Sequence, residues 1–158
     1  MVTLEFIDDF PKDKEEEVRK LLDPLLRLIS RDLSGLKFSI SNEIPGEASI
    51  RVMRRYHLAH IMLGYVFFAK DKEEKRSILI HELIHVLVDE LSKNIDQILD
   101  AYFEEGSSER TFMEARLEES EEQLTDALAL AFYDILKELE NAREELLVLD
   151  DLALNTPM

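Results

Sequence analysis

The stretch from Asp71 to Ser92 constrains the fold more than any other. It carries Ile78, Leu79, Ile80, Leu83, Ile84, Val86, Leu87, Val88 and Leu91. A helix over these residues is apolar almost all round, so it reads as the central buried helix of its domain. Asp71 caps it, and Glu74 three residues on completes a capping box. Yet His81, Glu82 and His85 stand in the middle. Such groups on a buried helix are costly unless they have partners.

The other segments are read as elements that cover this helix. Apolar residues recur at helical spacing from Asp13 to about Ser30, with Pro24 expected to kink or divide the run and Gly35 to end the segment. Leu36–Ser41 alternates as a half-buried strand does, and Ala48–Met53 and Leu58–Phe68 are further strand candidates. Thr3–Ile7 offers a short strand at the start. Ile95–Phe103 reads as a separate short helix broken by Gly106. A long helix follows over about Glu109–Leu147, with a stripe of Leu117, Leu124, Leu128, Ala131, Ile135, Leu136 and Leu139. The expected class is α+β: a small, mostly antiparallel or mixed sheet of about three strands, packed on the buried helix. An N-terminal helix and a long C-terminal helix complete a single domain over residues 1–158, frayed over 149–158.

Charge and composition narrow the function. The chain has 19 basic and 35 acidic residues, a net charge of −16, which argues against nucleic acid as a partner. Apolar residues make up 46%, enough for a real core rather than disorder. There is no cysteine, so a metal would have to be held by histidine and carboxylate. The N-terminus lacks the basic start and apolar run of a signal peptide. The longest mainly apolar run, Leu58–Ala69, is too short to span a bilayer and contains His60. A cytoplasmic protein without a membrane partner is expected.

His81-Glu82-Leu83-Ile84-His85 is an H-E-x-x-H match. Residues i and i+4 lie on one helix face, so both imidazoles can reach one ion. Glu82 is rotated off that face and is better placed to take a proton from water than to bind metal. A catalytic zinc site usually has three protein ligands. Asp89 lies about 12 Å along the helix axis from His81, too far to be a good third. On the long helix, Glu122 and Asp126 share a face by the same spacing. Glu122 is the candidate third ligand, and Asp126 the candidate acceptor for the free N–H of a ligating histidine. Glu114, Glu118, Glu119 and Glu121 are rivals, and most of them must form a solvated face. Ala127, Ala129 and Ala131 would let the two helices approach closely.

His81-Glu82-x-x-His85 followed downstream by Glu122-x-x-x-Asp126 resembles the gluzincin metallopeptidases, over roughly residues 36–135. The small size looks most like the minimal ImmA/IrrE-type proteins and small metallopeptidases encoded by phages and prophages. The metzincin pattern fails, since Val88 and Leu91 stand where it needs Gly and His. The chain also departs from the ImmA/IrrE-type pattern. Asp126 stands where Asn is usual and Thr125 where Ala is usual, and the stretch from His85 to Glu122 is long for the thermolysin pattern.

The resemblance implies a minimal zincin-like fold with a sheet edge beside the metal, to which an extended peptide adds as a strand. Leu58–Val66 is the candidate for that edge. His57 or His60 could stabilise an oxyanion as a positioned donor, as could Tyr56, Tyr65, Tyr102 or Tyr133. The expected activity is zinc-dependent hydrolysis of a peptide or protein substrate, which could be one specific regulatory protein. One Zn²⁺ would be held by His81, His85 and Glu122, with Glu82 as general base. The rival expectation is a catalytically silent, metal-stabilised interaction or regulatory module that binds a basic protein partner.

Overall fold

The computed structural model describes residues 2–29, 33–44, 46–53 and 57–154. Its elements are β1 (Thr3–Phe6), α1 (Lys12–Ile29), β2 (Gly35–Ile40), β3 (Ala48–Met53), β4 (Leu58–Leu63), α2 (Tyr65–Ala69), α3 (Lys72–Tyr102) and α4 (Ser108–Leu154). The class is α+β. The sheet has four strands in the order β1-β2-β4-β3. β1, β2 and β4 run parallel, and β3 is antiparallel to β4. Thr3–Phe6 therefore counts as a full strand, and the sheet is mixed rather than mostly antiparallel.

Strand alternation divides the sheet into two faces. Leu36 and Phe38 of β2 and Ala59, Ile61 and Leu63 of β4 are fully or almost fully buried. They form one core with Val18, Leu21, Leu22 and Leu25 of α1 and Leu79, Leu83 and Ile84 of α3. Register puts Ala48, Ile50 and Val52 of β3 opposite Leu63, Ile61 and Ala59, hence on this same helix-covered face. His60 points the other way, level with Lys37 of β2 and Arg51 of β3.

Several boundaries differ from the sequence expectation, each for a local reason. α1 is a single helix with Pro24 inside it, so the proline does not divide it. β4 stops at Leu63, and the remaining apolar residues turn into the short helix α2. Gly64 makes that turn possible, because a Cβ there would lie 2.8 Å from the Gly46 carbonyl oxygen.

α3 does not end near Ser92 but continues to Tyr102, absorbing the separate helix expected over Ile95–Phe103. The polar Ser92-Lys93-Asn94 contains no Gly or Pro, and Ser92 Oγ bonds back to the Val88 carbonyl, which a helix tolerates. The Asp71 cap is present: Glu74 N donates to Asp71 Oδ1 at 2.9 Å, and Asp71 N donates to Glu74 Oε2 at 3.2 Å. Gly106, at φ 74, lies in the turn between α3 and α4.

α4 packs through a stripe that shares Leu128 and Leu136 with the expected one but not Leu124, Ala131, Ile135 or Leu139. Its buried residues are Thr125, Ala129 and Leu136, with Leu128, Phe132 and Tyr133 partly buried. Leu124, Ile135 and Leu139 are exposed. Small side chains face α3 because the helices lie close there; of the three alanines, only Ala129 is at the contact. Arg76 of α3 clamps this packing with a two-pronged ion pair to Glu140 at 2.6 and 2.8 Å. α4 extends to Leu154, so part of the expected frayed end is helical, and residues 155–158 lie outside the described residues. Among the described residues, no helix is long and apolar enough to cross a membrane.

Candidate metal centre

His81 and His85 lie one turn apart on α3, and α4 brings Glu122 and Asp126 over them, also one turn apart. The Nε2 atoms of the two histidines are 3.1 Å apart. Glu122 Oε2 is 3.7 Å from His81 Nε2, and its Oε1 is 3.6 Å from His85 Nε2. Ligand atoms of all three residues lie within 4.8 Å of one another, so the group could hold a metal ion. Atoms that share a tetrahedral zinc at ~2.0–2.1 Å stand about 3.3 Å apart; the two ring nitrogens are close to that length, and each is slightly farther from a different Glu122 oxygen. The donor set, two imidazoles and a carboxylate, is also one zinc accepts.

The surroundings orient the rings. Asp126 Oδ1 lies 3.0 Å from His81 Nδ1, where it can accept that N–H and leave the Nε2 lone pair facing inward. Behind His85, the fully buried Thr125 places its hydroxyl at a long 3.5 Å from Nδ1, and Glu121 Oε1 lies 3.9 Å from the same nitrogen. Glu121 Oε2 accepts from Ser92 Oγ at 2.7 Å, tying α4 to α3 beside the site. Burial lowers the pKa of His85, while the Glu122 carboxylate opposes that shift.

Glu82 is only 7% exposed, yet it lines the same cleft as the histidines. Burial first, then the negative charge of Glu122, raises its pKa from 4.5 to about 7. The cleft has a volume of about 600 Å³; Ala48, Ile50 and Val52 of β3 form one wall, and Asp89, Glu118 and Glu121 lie across from them.

The raised pKa makes metal-free stability depend on pH. Between about 4.5 and about 7 the folded chain keeps a proton on Glu82 that the unfolded chain has released. Folded stability therefore falls as pH rises through that window, by about 3 kcal/mol at its upper end. Urea unfolding of the chelated chain at several pH values should show this fall, and Glu82→Gln should remove it. An identical slope in the variant would assign the proton elsewhere.

The structure brings together His81, Glu82, His85, Glu122 and Asp126. Glu118 lines the cleft but lies outside the three-ligand group, and Glu121 meets the far nitrogen of His85. The oxyanion candidates on the sheet lie elsewhere. His60 is on the opposite face, where its Nε2 is 2.8 Å from Ser39 Oγ. His57 sits at φ 51 in the turn before β4, its carbonyl accepting from Ser34 N. Tyr133 donates to Glu73 Oε2 at 2.5 Å, Tyr65 lies under Lys14, and Tyr102 ends α3. Tyr56 lies outside the described residues.

Leu58–Leu63 is also not an edge: β4 is flanked on both sides, and the edge strand beside the histidines is β3. Sequence reasoning did not find Thr125 as a neighbour of His85, or the Ser92–Glu121 bond, because each needs the relative placement of two helices. Comparison with protein-family models, curated proteins and solved structures finds no match.

Proposed function

We propose that this chain is a zinc-dependent peptide hydrolase of gluzincin type. The observation that carries the reading is the convergence of His81, His85 and Glu122 within 4.8 Å, beside the buried Glu82 in the same cleft. His81, His85 and Glu122 would hold the ion. Bound zinc would supply a Lewis acid for the scissile carbonyl and lower the pKa of water from 15.7 toward ~7.

The chain's own groups do the rest. Asp126 fixes the His81 ring through Nδ1. Glu82, buried in the same cleft as the histidines, takes the proton of the attacking water and passes it to the leaving amine. Among the described residues no strand pairs with the outer edge of β3, so its backbone groups there can receive an extended peptide. Such pairing gives affinity with little sequence preference.

The direct test is cleavage of an unfolded protein by the full chain loaded with zinc. Cleavage should stop on chelation and return when zinc is restored. A chain that binds zinc in this site but cleaves no unfolded or peptide substrate would instead be a silent module stabilised by its metal.

A further inference from the structure

A second cavity, about 240 Å³, lies beside the metal cleft between α3 and α4; Glu118 and Glu121 line both, and the Ser92–Glu121 bond joins the helices there. Its walls are aliphatic at helical spacing: Val88, Leu91, Ile95 and Leu99 on α3, Leu117 and Leu124 on α4. Leu99 is buried in this groove and lies outside the main core cluster, whereas Val88 belongs to it, so the groove borders the core. Leu91 is 51% exposed and Leu124 39% exposed, so apolar surface is open to an incoming side chain.

The rim is mostly acidic, with Glu114 already paired to Arg110 at 2.7 Å. Asp96, Glu114, Glu118 and Glu121 edge the groove, and Asp89 and Glu122 continue the acidic border into the cleft. Among the described residues, the linings of groove and cleft include no lysine or arginine. An acidic segment would meet like charge at Asp96, Glu118, Glu121 and Glu122, whereas a basic one would be attracted.

Resting on the peptidase reading, we infer that the substrate is a basic, extended peptide segment with a large aliphatic or aromatic side chain that enters the α3–α4 groove. The apolar side chain anchors in the groove, lysine or arginine beside it meets the Glu118 rim, and the backbone lies along the cleft. Discrimination comes from the groove and its rim, since pairing with β3 is indifferent to sequence.

Binding is the first readout, taken without turnover. Fluorescein-labelled peptides of equal length are titrated into full-length Glu82→Gln chain with zinc supplied, and anisotropy is followed. Three designs differ only at the anchor and its neighbours: leucine among lysines, serine among lysines, and leucine among glutamates. The leucine–lysine peptide should bind at least about tenfold more tightly than the serine peptide, the scale set by burying one aliphatic side chain, and more tightly than the glutamate peptide through the charge of the rim. Leu91→Ser should erase the leucine advantage, and Glu118→Lys should shift preference toward the glutamate peptide. Both positions are exposed, so the fold should tolerate the changes.

Equal affinity for the three peptides, or a preference untouched by both variants, would overturn the inference. Cleavage of the same peptides by wild-type chain separates this failure from failure of the peptidase reading. Cleavage without preference removes the groove's role and leaves the peptidase. Selective binding without cleavage retains the groove as a peptide dock and removes the peptidase.

Discussion

Glu82→Gln is expected to lower peptide-bond cleavage on the order of 10²–10⁴-fold, the usual contribution of a positioned acid–base group, while zinc stays bound. The substitution keeps shape and hydrogen-bonding capacity but removes the titrating proton. Glu82 is not among the three residues whose ligand atoms converge, so its loss need not disturb the ion. Without the ion its carboxyl is held near pKa 7 by burial and by Glu122; bound zinc would favour the carboxylate, the form that accepts a proton from water. Zinc content and cleavage of a verified substrate must be measured on the same preparation. Wild-type turnover in the variant would show that another group moves the proton. Loss of both zinc and turnover would mean that Glu82 supports the site rather than the reaction.

How much of this could be read from the chain depends on the range of the interaction. The Asp71–Glu74 cap and the shared face of His81 and His85 were legible, because both follow from spacing within one helix. Glu122 with Asp126 was legible as a pair for the same reason. Their position over the histidines is a property of how α4 crosses α3, which no periodicity encodes. The α4 stripe was legible in part: Ala129 makes the close contact and Leu128 and Leu136 pack inward, while Thr125 was not anticipated and Ile135 and Leu139 face outward. The sheet edge went astray because strand order is non-local. β4 has the most apolar sequence of the strands, and that composition suits a central strand flanked by β2 and β3 better than an edge.

The second large effect is expected on the metal itself. Glu122→Ala should reduce zinc affinity by more than the roughly 10–100-fold typical of losing an outer partner of a ligand, because a direct ligand is removed. The fold should survive, since the Glu122 side chain is 55% exposed and belongs to no core cluster. Elemental analysis of untagged wild-type and variant chains, each dialysed against the same zinc buffer, gives the comparison. Glu121→Ala is the discriminating control. Glu121 faces His85 Nδ1 and is already bonded to Ser92, so its loss should cost less zinc than that of Glu122. Full zinc in Glu122→Ala with loss in Glu121→Ala would reassign the third ligand. No zinc in wild type under these conditions would sink the metal centre and the peptidase with it. The same variant also checks the electrostatics independently of any ion. Because the Glu122 charge contributes to the raised pKa of Glu82, its removal should move the metal-free stability loss to a narrower window above pH 4.5. A coupled change in zinc affinity and in this metal-free titration would place Glu122 against both the ion and the base, whereas a general loosening of the fold would lower stability at every pH.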